Sequence, residues 1–457
     1  MPGVVAEKPE GKLMKRAGST LLALLFIFAG TPLLEAEAGE YLISAAASDL
    51  NGILARHKMA LKEVVGPGVF QVTVSPTVSI VLFAAELSAD KKISRFERDC
   101  RVSDGNVQAV GKVAASASQI ANVMADKTVV NYYGATVPAP YANQQAAGLV
   151  HLPQALGRFG AGNTIVAVID TGIDPTHPAL KGVLVPGYDF TRNIAGFASE
   201  MPDLQQSTVA ILEQSTVAIL ESKRAVQLNQ STVAILEQST VAILESKPLP
   251  SDFGHGTMVA GLIHFVAPGV RIMPLKAFHS DGTSNLSDIV RAIYYAVDHQ
   301  ARVINMSFSA KTASPALADA LQYAWSHGVI CVASAGNDGR QMKVYPAGSY
   351  GTIGVGSTTM TDRRSTFSNY GTDSVKTSAP GEGLITTFPG NHYAGVWGTS
   401  FSSALVSGAI ALMYEISPKL SAPKVYDALD HGRRVELGMG DARLDLWSSL
   451  LYLLLSH

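Results

Sequence analysis

The sequence predicts an α/β protein: a doubly wound, mostly parallel sheet with helices on both faces, preceded by a small α+β domain. Between about Leu149 and Leu446, short continuous apolar runs alternate with amphipathic stretches. This alternation is typical of parallel strands covered by helices on both sides. Hydrophobic residues make up 47% of the 457 residues and charged residues only 16%, so the chain can bury a large core and is not disordered as a whole.

The apolar runs are the candidate strands of this sheet, and two amphipathic stretches between them are the clearest candidate helices. The candidate strands are Thr164–Ile169, Val270–Met273, Val303–Met306, Val329–Ala333 and Thr352–Val355. The candidate helices are Leu286–His299 and Ala316–His327. Because the active site of a doubly wound sheet lies at the carboxyl ends of its strands, we expect the chemistry at that edge.

Residues 1–38 predict a secretory signal peptide. Four basic residues precede the apolar run Leu21–Gly30, and an A-x-A pattern follows at positions 36–38. This order is typical of an export signal, with a buried core helix as the alternative, and the run is short for a membrane span. We therefore expect a secreted or periplasmic protein without a stable membrane span. The tail Leu446–Leu455 predicts a terminal helix packed on the domain, with a surface anchor as the alternative.

Residues 39–135 predict the small α+β domain. Val69–Val74 and Val78–Leu82 are rich in β-branched residues and predict strands, whereas Ala115–Met124 predicts a helix. Proline, glycine and small polar residues then predict a linker over residues 136–148. Residues 149–457 form the larger domain.

The octapeptide QSTVAILE occurs four times within the larger domain, at 206–213, 214–221, 230–237 and 238–245. An even period favours a strand, because every copy would present the same face, whereas Ala, Leu, Glu and Gln favour a helix. Both structures remain open. We interpret residues 206–247 as a surface insertion, with a small solenoid-like stack as the alternative.

Charge and cysteine content exclude several classes of protein. The 35 Lys and Arg residues nearly balance the 37 Asp and Glu residues, for a formal net charge of −2, and a nucleic-acid partner is not expected. Two cysteines, Cys100 and Cys331, exclude a disulfide-dense scaffold and a thiolate zinc site.

The first motif with chemical content is V-I-D-T-G-I-D, in which Asp170 ends an apolar strand and a turn glycine follows. The D-T-G sequence also occurs in aspartic proteases, but those enzymes need two such aspartates and this chain has one. A helix-capping role for Asp170 is the structural alternative.

The second motif is G-H-G-T-M-V-A-G, in which His255 stands between glycines at the start of an apolar helix. Its small neighbours leave the imidazole accessible. A lone histidine is more often structural, but this one belongs to no apolar stripe.

The third motif is G-T-S-F-S-S-A, which places Ser400 at the amino terminus of an apolar helix. The helix dipole there favours developing negative charge. An ordinary N-cap serine is the alternative.

Taken together, the three motifs predict nucleophilic catalysis. A serine hydroxyl needs a neighbouring base, and the base needs an orienting carboxylate. The order Asp170, His255, Ser400 is that of the subtilisin arrangement. On these motifs the chain resembles the subtilisin-like serine proteases, the subtilase family, over about Leu149 to Leu446.

The resemblance implies further site residues. The segment A-S-A-G-N-D matches the family segment that ends in the oxyanion-hole asparagine, which is Asn337 here. The substrate-binding residues that it implies are Ser307, Phe308, Ser309, Ala335 and Gly336. Substrate would add as an extended strand along Ser307–Ser309.

The sequence also departs from the family pattern. Phe401-Ser402 and Ala404-Leu405 replace the usual Met-Ala and Pro-His pairs, Ser309 replaces a glycine, and Ala179 replaces an acidic calcium ligand. Ser309 adds a side chain where substrate would lie, and we expect it to narrow or reshape the pocket. No cofactor and no metal site are predicted. Calcium is the alternative, although the sequence offers no clear ligands for it.

The resemblance assigns a role to residues 39–135, which we interpret as a propeptide that inhibits the enzyme until it is cleaved. Residues 127–133 are the candidate for the segment in the active site, and an accessory domain that stays attached is the alternative. The predicted function is a secreted serine endopeptidase, made as a zymogen, whose partners are protein or peptide substrates and its own propeptide. A catalytically silent peptide-binding relative and a repeat-based adhesive protein are the alternatives.

Overall fold

The computed structural model describes residues 39–74, 80–103, 122–204, 226–227, 232–235, 250 and 252–456. The predicted signal peptide and most of the repeats lie outside these residues. The strands are β1 (Glu40–Ala45), β2 (Met59–Gly66), β3 (Val69–Val74), β4 (Ile93–Arg98), β5 (Arg101–Ser103), β6 (Val129–Tyr132), β7 (Ala135–Pro138), β8 (Ile165–Asp170), β9 (Gly187–Asp189), β10 (Ile194–Gly196), β11 (Val226–Gln227), β12 (Thr232–Ile235), β13 (Arg271–Lys276), β14 (Thr283–Asn285), β15 (Val303–Met306), β16 (Ile330–Ser334), β17 (Thr352–Thr358), β18 (Thr377–Pro380), β19 (Glu382–Phe388) and β20 (His392–Trp397).

The α-helices alternate with these strands along most of the chain. They are α1 (Leu50–His57), α2 (Ile80–Ala89), α3 (Ala139–Ala142), α4 (Gln145–Leu149), α5 (Leu152–Phe159), α6 (His255–Val266), α7 (Leu286–Asp298), α8 (Pro315–Ser326), α9 (Thr399–Ile416), α10 (Ala422–Leu429) and α11 (Leu446–Leu455). The prediction of an α/β protein with a small α+β unit at its start is confirmed.

The main sheet has eight strands in the order β10-β9-β13-β8-β15-β16-β17-β18. Its neighbours run parallel, except for the antiparallel pair of β9 and β10. Strand β8 lies between β13 and β15, so the chain crosses from one side of β8 to the other. Such a switch point opens a crevice at the carboxyl end of the strand, and Asp170 is the last residue of β8.

Helices cover both faces of this sheet, as predicted. The apolar residues of α6 and α9 pack in one core, and those of α7 and α8 pack in the core on the other face. Among the described residues one helix, Thr399–Ile416, is long and apolar enough to cross a membrane by length and composition, and 89% of it is buried inside the protein. The terminal helix α11 buries Leu446, Leu450 and Leu453, so the prediction of a packed tail helix is confirmed.

The amino-terminal unit is an antiparallel sheet in the order β2-β3-β1-β4 with α1 and α2 on one face. Side chains alternate along β1, so Tyr41 and Ile43 pack toward those helices while Leu42 joins the core around α7 and α8. Residues 80–82, which the sequence predicts as part of a strand, instead begin α2. The Ala- and Leu-rich residues that follow extend the helix and outweigh the short β-branched run.

The segment 136–148 is ordered rather than a flexible linker. It contains the end of β7 and the helices α3 and most of α4, and Tyr141 is fully buried. The Tyr141 hydroxyl donates to the Gly261 carbonyl at 2.7 Å. The proline, glycine and small polar residues that predict a linker are accommodated in short helices here, with Pro140 in the first turn of α3.

One copy of the repeat contributes a described strand. Residues 232–235 form β12, which pairs antiparallel with β20 in the register Thr232 to Trp397. That copy is a strand at these four positions, as its even period favours. The alternatives for the other copies lie outside the described residues.

Candidate active site

The aspartate and the histidine of the predicted triad are in direct contact. Asp170 ends β8 and His255 begins α6. The His255 Nδ1 atom lies 2.8 Å from Asp170 Oδ1 and 3.0 Å from Oδ2. Both side chains are buried, and the Thr171 N–H donates to Asp170 Oδ1 at 2.8 Å. This contact fixes the orientation of the imidazole ring.

Two glycines explain how the aspartate loop and the start of α6 come so close. A Cβ atom at Gly256 would lie 2.1 Å from the Gly172 carbonyl oxygen and 3.2 Å from the Asp170 Cβ atom. Gly172 has a φ of +108°, and a Cβ there would lie 2.7 Å from the Glu200 nitrogen. A larger residue at Gly256 would push the aspartate loop and the histidine helix apart, and one at Gly172 would push the aspartate loop away from residues 198–200.

Ser400 lies in the first turn of α9, beside the strand that is predicted to bind substrate. Its hydroxyl donates to the Ser307 carbonyl oxygen at 3.1 Å, and the Ser307 hydroxyl donates to the Ser400 carbonyl oxygen at the same distance. The N–H groups of a first helical turn have no partner within the helix. The Ser400 N–H is therefore available to a negatively charged oxygen beside the hydroxyl.

Phe401 brings the two halves of the site together. Its ring is fully buried and lies 5.7 Å, centroid to centroid, from the imidazole of His255. The residue after the serine thus packs against the histidine. The helix α9 runs unbroken through Ala404 and Leu405, both fully buried, so the missing proline leaves the start of this helix regular.

Asn337 lies against the residue that precedes the serine. Its Oδ1 atom accepts hydrogen bonds from the backbone N–H and the hydroxyl of Thr399, both at 2.9 Å. The same hydroxyl accepts the Gly336 N–H at 3.1 Å. These bonds hold the amide group in one orientation. Sequence reasoning did not assign Thr399 this role, although its place in the G-T-S motif would have suggested it.

The predicted substrate-binding residues form two facing segments. Ser307 and Phe308 are buried, and the Phe308 ring packs on Phe278 at 4.8 Å between centroids. Gly336 has a φ of +87°, and the Ser309 Oγ atom lies 3.1 Å from the position of a Gly336 Cβ. Ala335 is fully buried beside Gly336. The hydroxyl of Ser309 therefore occupies part of the gap between the two segments.

A group of buried ionisable side chains lies behind the Asp170 loop, and the motifs gave no sign of it. Glu200 is fully buried and contacts Thr171, Thr257 and Gly254. Burial raises the pKa of the Glu200 carboxyl to about 8. Lys276 is also fully buried and donates to Asp203 Oδ2 at 2.7 Å.

Asp174, the second acid of the first motif, is a turn residue but not a surface residue. Its Oδ1 atom accepts from the N–H and hydroxyl of Thr176, and its Oδ2 atom accepts from the Gly390 N–H at 2.9 Å. It is 1% exposed. Across the described parts of the chain, no group of three or more His, Cys, Asp or Glu side chains is arranged to hold a metal ion.

Comparison with known proteins places the chain in a family. The model of the subtilase family, peptidase S8, matches residues 161–436. This chain belongs to the subtilase family. It is 35% identical over 264 residues to a thermophilic serine proteinase of Bacillus sp. strain AK1, a match that covers 56% of this chain and 53% of that protein. It is 28% identical over 286 residues to thermitase of Thermoactinomyces vulgaris, which covers 60% of this chain and 84% of thermitase.

A solved structure shares the fold of this subtilase. Fervidolysin from Fervidobacterium pennivorans, described as a keratinolytic enzyme related to subtilisin, superposes with a TM-score of 0.64 at 20% identity. The match covers 92% of this chain and 62% of fervidolysin. This subtilase therefore spans about half the length of the first relative and somewhat less than two thirds of fervidolysin.

Proposed function

We propose that this subtilase is a secreted serine endopeptidase that hydrolyses peptide bonds through an acyl-enzyme intermediate. The observation that carries the proposal is the Asp170–His255 hydrogen bond at the switch point of the sheet, with the start of the Ser400 helix packed against the imidazole through Phe401. The names of the matched relatives, a serine proteinase and thermitase, support the same activity.

In this mechanism Ser400 Oγ attacks the scissile carbonyl carbon while His255 takes the hydroxyl proton. His255 then gives that proton to the leaving amine, which leaves an ester on Ser400, and water hydrolyses the ester by the same steps. Asp170 holds the imidazole in the required tautomer and stabilises the imidazolium. The tetrahedral intermediate carries its negative charge beside the Ser400 N–H and the Asn337 side-chain amide.

Substrate binds as an extended strand along Ser307–Ser309. The opposite wall, Ala335 and Gly336, follows the end of β16. A strand that is added in this way is held mainly by hydrogen bonds of its backbone, so binding tolerates many substrate sequences. The gap beside Ser309 then selects among substrate side chains.

The amino-terminal unit supports the zymogen part of the proposal. Strand β5 pairs antiparallel with β14, in the register Ser103 to Thr283. The Glu97 Oε1 atom accepts the Ala316 N–H at 2.5 Å in the first turn of α8, and the Asp99 Oδ1 atom accepts the Ser287 N–H at 3.1 Å in the first turn of α7. These N–H groups have no partner within their own helix, so the bonds attach the unit to the larger domain, as an inhibitory propeptide requires.

The segment that we expected in the active site, residues 127–133, packs elsewhere. It contains β6, whose Tyr132 hydroxyl donates to the Phe265 carbonyl near the far end of α6. The hairpin of β6 and β7 packs on the core of the larger domain. We therefore place the division between inhibitor and enzyme before this hairpin rather than at residue 135.

The test of the proposal is hydrolysis of a fluorescein-labelled protein substrate by the purified, processed chain, with Ser400→Ala as the matched control. We expect internal cleavage products by mass spectrometry and at least a 10³-fold loss of rate in the variant. If the folded, processed protein binds peptides but turns none over, the peptide-binding alternative replaces this proposal.

A further inference from the structure

Glu200 lies between the two loops that carry the catalytic aspartate and histidine. It is fully buried, and it comes just before the repeat insertion in the chain. Its Oε2 atom accepts the Thr171 hydroxyl at 2.7 Å and the Gly254 N–H at 3.2 Å. Its Oε1 atom is hydrogen-bonded to the Thr257 hydroxyl. One carboxyl group therefore contacts the residue after Asp170 and the residues on both sides of the His255–Gly256 pair.

The two threonines complete a cross-link between the loops. The Thr171 hydroxyl oxygen accepts the Gly256 N–H at 3.0 Å, and the Thr257 hydroxyl oxygen accepts the Asp174 N–H at 2.8 Å. Thus Thr171 from the aspartate loop bonds to the histidine helix, and Thr257 from the helix bonds to the aspartate loop. Glu200 holds both hydroxyl groups at once.

The surroundings of Glu200 favour the uncharged form of its carboxyl group. The positive charge of Lys276 lowers the pKa of Glu200 from a distance. The three Nζ protons, however, are donated to the Thr171 carbonyl, the Phe278 carbonyl and Asp203, each at 2.7 Å. Burial raises the pKa of Glu200 to about 8 and the nearby carboxylate of Asp170 adds to this effect, although the hydrogen bonds from Thr257 and Thr171 act against it.

Three donors point at the carboxyl group of Glu200. The Thr171 hydroxyl and the Gly254 N–H donate to Oε2, and the Thr257 hydroxyl donates to Oε1. Both carboxyl oxygens therefore have partners, and these partners come from the two loops that carry the catalytic aspartate and histidine.

We propose that Glu200 is a positioning residue that, through Thr171 and Thr257, holds Asp170 and His255 at hydrogen-bond distance. The inference rests on the proposed endopeptidase function, since it assigns Glu200 a part in the same reaction. Glu200 does not contact the reacting atoms and acts through the two threonines.

Two near-isosteric variants separate the hydrogen bonds from the shape of the side chain. In Glu200→Gln the amide oxygen replaces Oε2 and still accepts from Thr171 and Gly254, while the amide nitrogen can donate to the Thr257 hydroxyl oxygen, so the side chain still links both threonines. In Glu200→Leu the pattern is lost. We expect Glu200→Gln to keep kcat within about threefold, and Glu200→Leu to lose about 10–100-fold in kcat with little change in KM, because displacement of a catalytic group by about 1 Å costs on that scale.

Asp288 offers a matched control. It is a buried acid on α7 whose pKa burial raises to about 6, and it is not among the contacts of the two motifs. Asp288→Asn and Asp288→Leu should leave kcat within twofold. Thr257→Val removes one arm of the cross-link in case Glu200→Leu does not fold, and it should lose about tenfold in kcat.

A spectroscopic measurement keeps this inference separate from the proposed function. In a Ser400→Ala background, the His255 Nδ1 proton should resonate far downfield, and the resonance should move or broaden in Glu200→Leu but not in Glu200→Gln. Folded Glu200→Leu and Thr257→Val variants with unchanged kcat and an unchanged resonance would overturn the positioning role. Equal damage by Gln and Leu would also overturn it, because the hydrogen bonds to the threonines would then not account for the effect. If the wild-type protein shows no turnover, the proposed function is contradicted, but the positioning role is not. The His255 Nδ1 resonance still tests the positioning role of Glu200.

Discussion

The Asn337 side-chain oxygen accepts two hydrogen bonds from Thr399, one from its backbone N–H and one from its hydroxyl, both at 2.9 Å. An amide carries its oxygen and its nitrogen on opposite sides, so these bonds also fix the direction of the Nδ2 donor. The residue beside the nucleophile thereby orients the proposed oxyanion donor. Any change that removes the Thr399 hydroxyl should act on catalysis through Asn337.

We predict that Thr399→Val lowers kcat by about tenfold or more and leaves KM nearly unchanged, whereas Thr399→Ser keeps the hydroxyl and most of the rate. Asn337→Ala should cost about 100–1,000-fold in kcat, because one oxyanion donor is lost. The double variant should lose little beyond Asn337→Ala alone, since both act through one donor. Steady-state kinetics on a peptide substrate measures all four. If the loss of kcat in the double variant equals the product of the two single losses, Thr399 does not act through Asn337.

The two acids of the first motif should behave differently when each is changed to asparagine. Asp170→Asn should lower kcat by about 10⁴-fold with little loss of thermal stability, because the imidazole loses its orienting charge. Asp174→Asn keeps a turn-forming side chain and should cost stability rather than rate. Kinetics and thermal melts of both variants test this. A rate loss in Asp174→Asn as large as that in Asp170→Asn would contradict the assignment.

The Ser309 hydroxyl predicts a preference for small side chains at the residue before the cleaved bond. Its Oγ atom lies 3.1 Å from where a Gly336 Cβ would be, so it narrows the gap between the two substrate-binding segments. Ser309→Gly should raise kcat/KM for a phenylalanine substrate relative to an alanine substrate by about tenfold or more. If Ser309→Gly leaves the ratio of kcat/KM for the phenylalanine and alanine substrates unchanged, Ser309 does not border the pocket that selects this side chain.

Acid should weaken the fold through His264. This fully buried imidazole lies 3.1 Å from the Tyr141 hydroxyl, and burial lowers the pKa of His264 to about 4 from 6.5. The unfolded chain then binds a proton that the folded chain does not, so the contribution of this group is complete above pH 6.5 and is lost as the pH falls toward 4. The loss is on the order of 3 kcal/mol.

A difference measurement isolates this histidine from other titrating groups. In a Ser400→Ala background, which prevents self-digestion, the free energy of unfolding is measured by denaturant titration for the parent and for His264→Gln at pH 7 and pH 4.5. The advantage of the parent should shrink by about 2–3 kcal/mol at the lower pH. A constant difference would contradict the lowered pKa.

The amino-terminal unit should bind the catalytic domain less tightly without its two helix-capping acids. We predict that Glu97→Ala with Asp99→Ala shortens the lag before activity appears in freshly secreted protein, because the first turns of α8 and α7 lose their carboxylate partners. Glu86→Ala, an exposed change in the same unit, is the control and should keep the parental lag. Equal lags in both proteins would contradict an inhibitory role.

Much of the site could be predicted from the sequence because its key residues stand in short contiguous motifs. Asp170 ends a strand, and His255 and Ser400 lie in the first turns of helices. The apolar pattern of each element is clear, and the alternation of these elements predicts that strand ends meet at one edge. The same logic holds for the tail helix, whose apolar face is continuous. A local sequence pattern is therefore enough to predict a feature that lies within a single helix or strand.

The remainder depended on contacts between distant positions. Glu200 lies 29 residues from Thr171 and 57 from Thr257, and no local pattern marks a buried acid that bonds to two threonines. The composition of residues 136–148 predicts a linker, but proline and small residues also occur in tightly packed short helices, and composition alone does not separate the two. Residues 127–133 were placed in the active site on chain order alone, whereas Tyr132 packs on the far end of α6.

The most direct test of the whole account is labelling by a fluorophosphonate, a reagent that reacts with activated serines. We predict that processed, folded protein takes up one label, that peptide mapping places it on Ser400, and that Ser400→Ala takes up none. His255→Ala should label far more slowly, since the base is missing. Folded protein that has lost the amino-terminal unit and still takes up no label would contradict the account, because Ser400 would then not be an activated nucleophile.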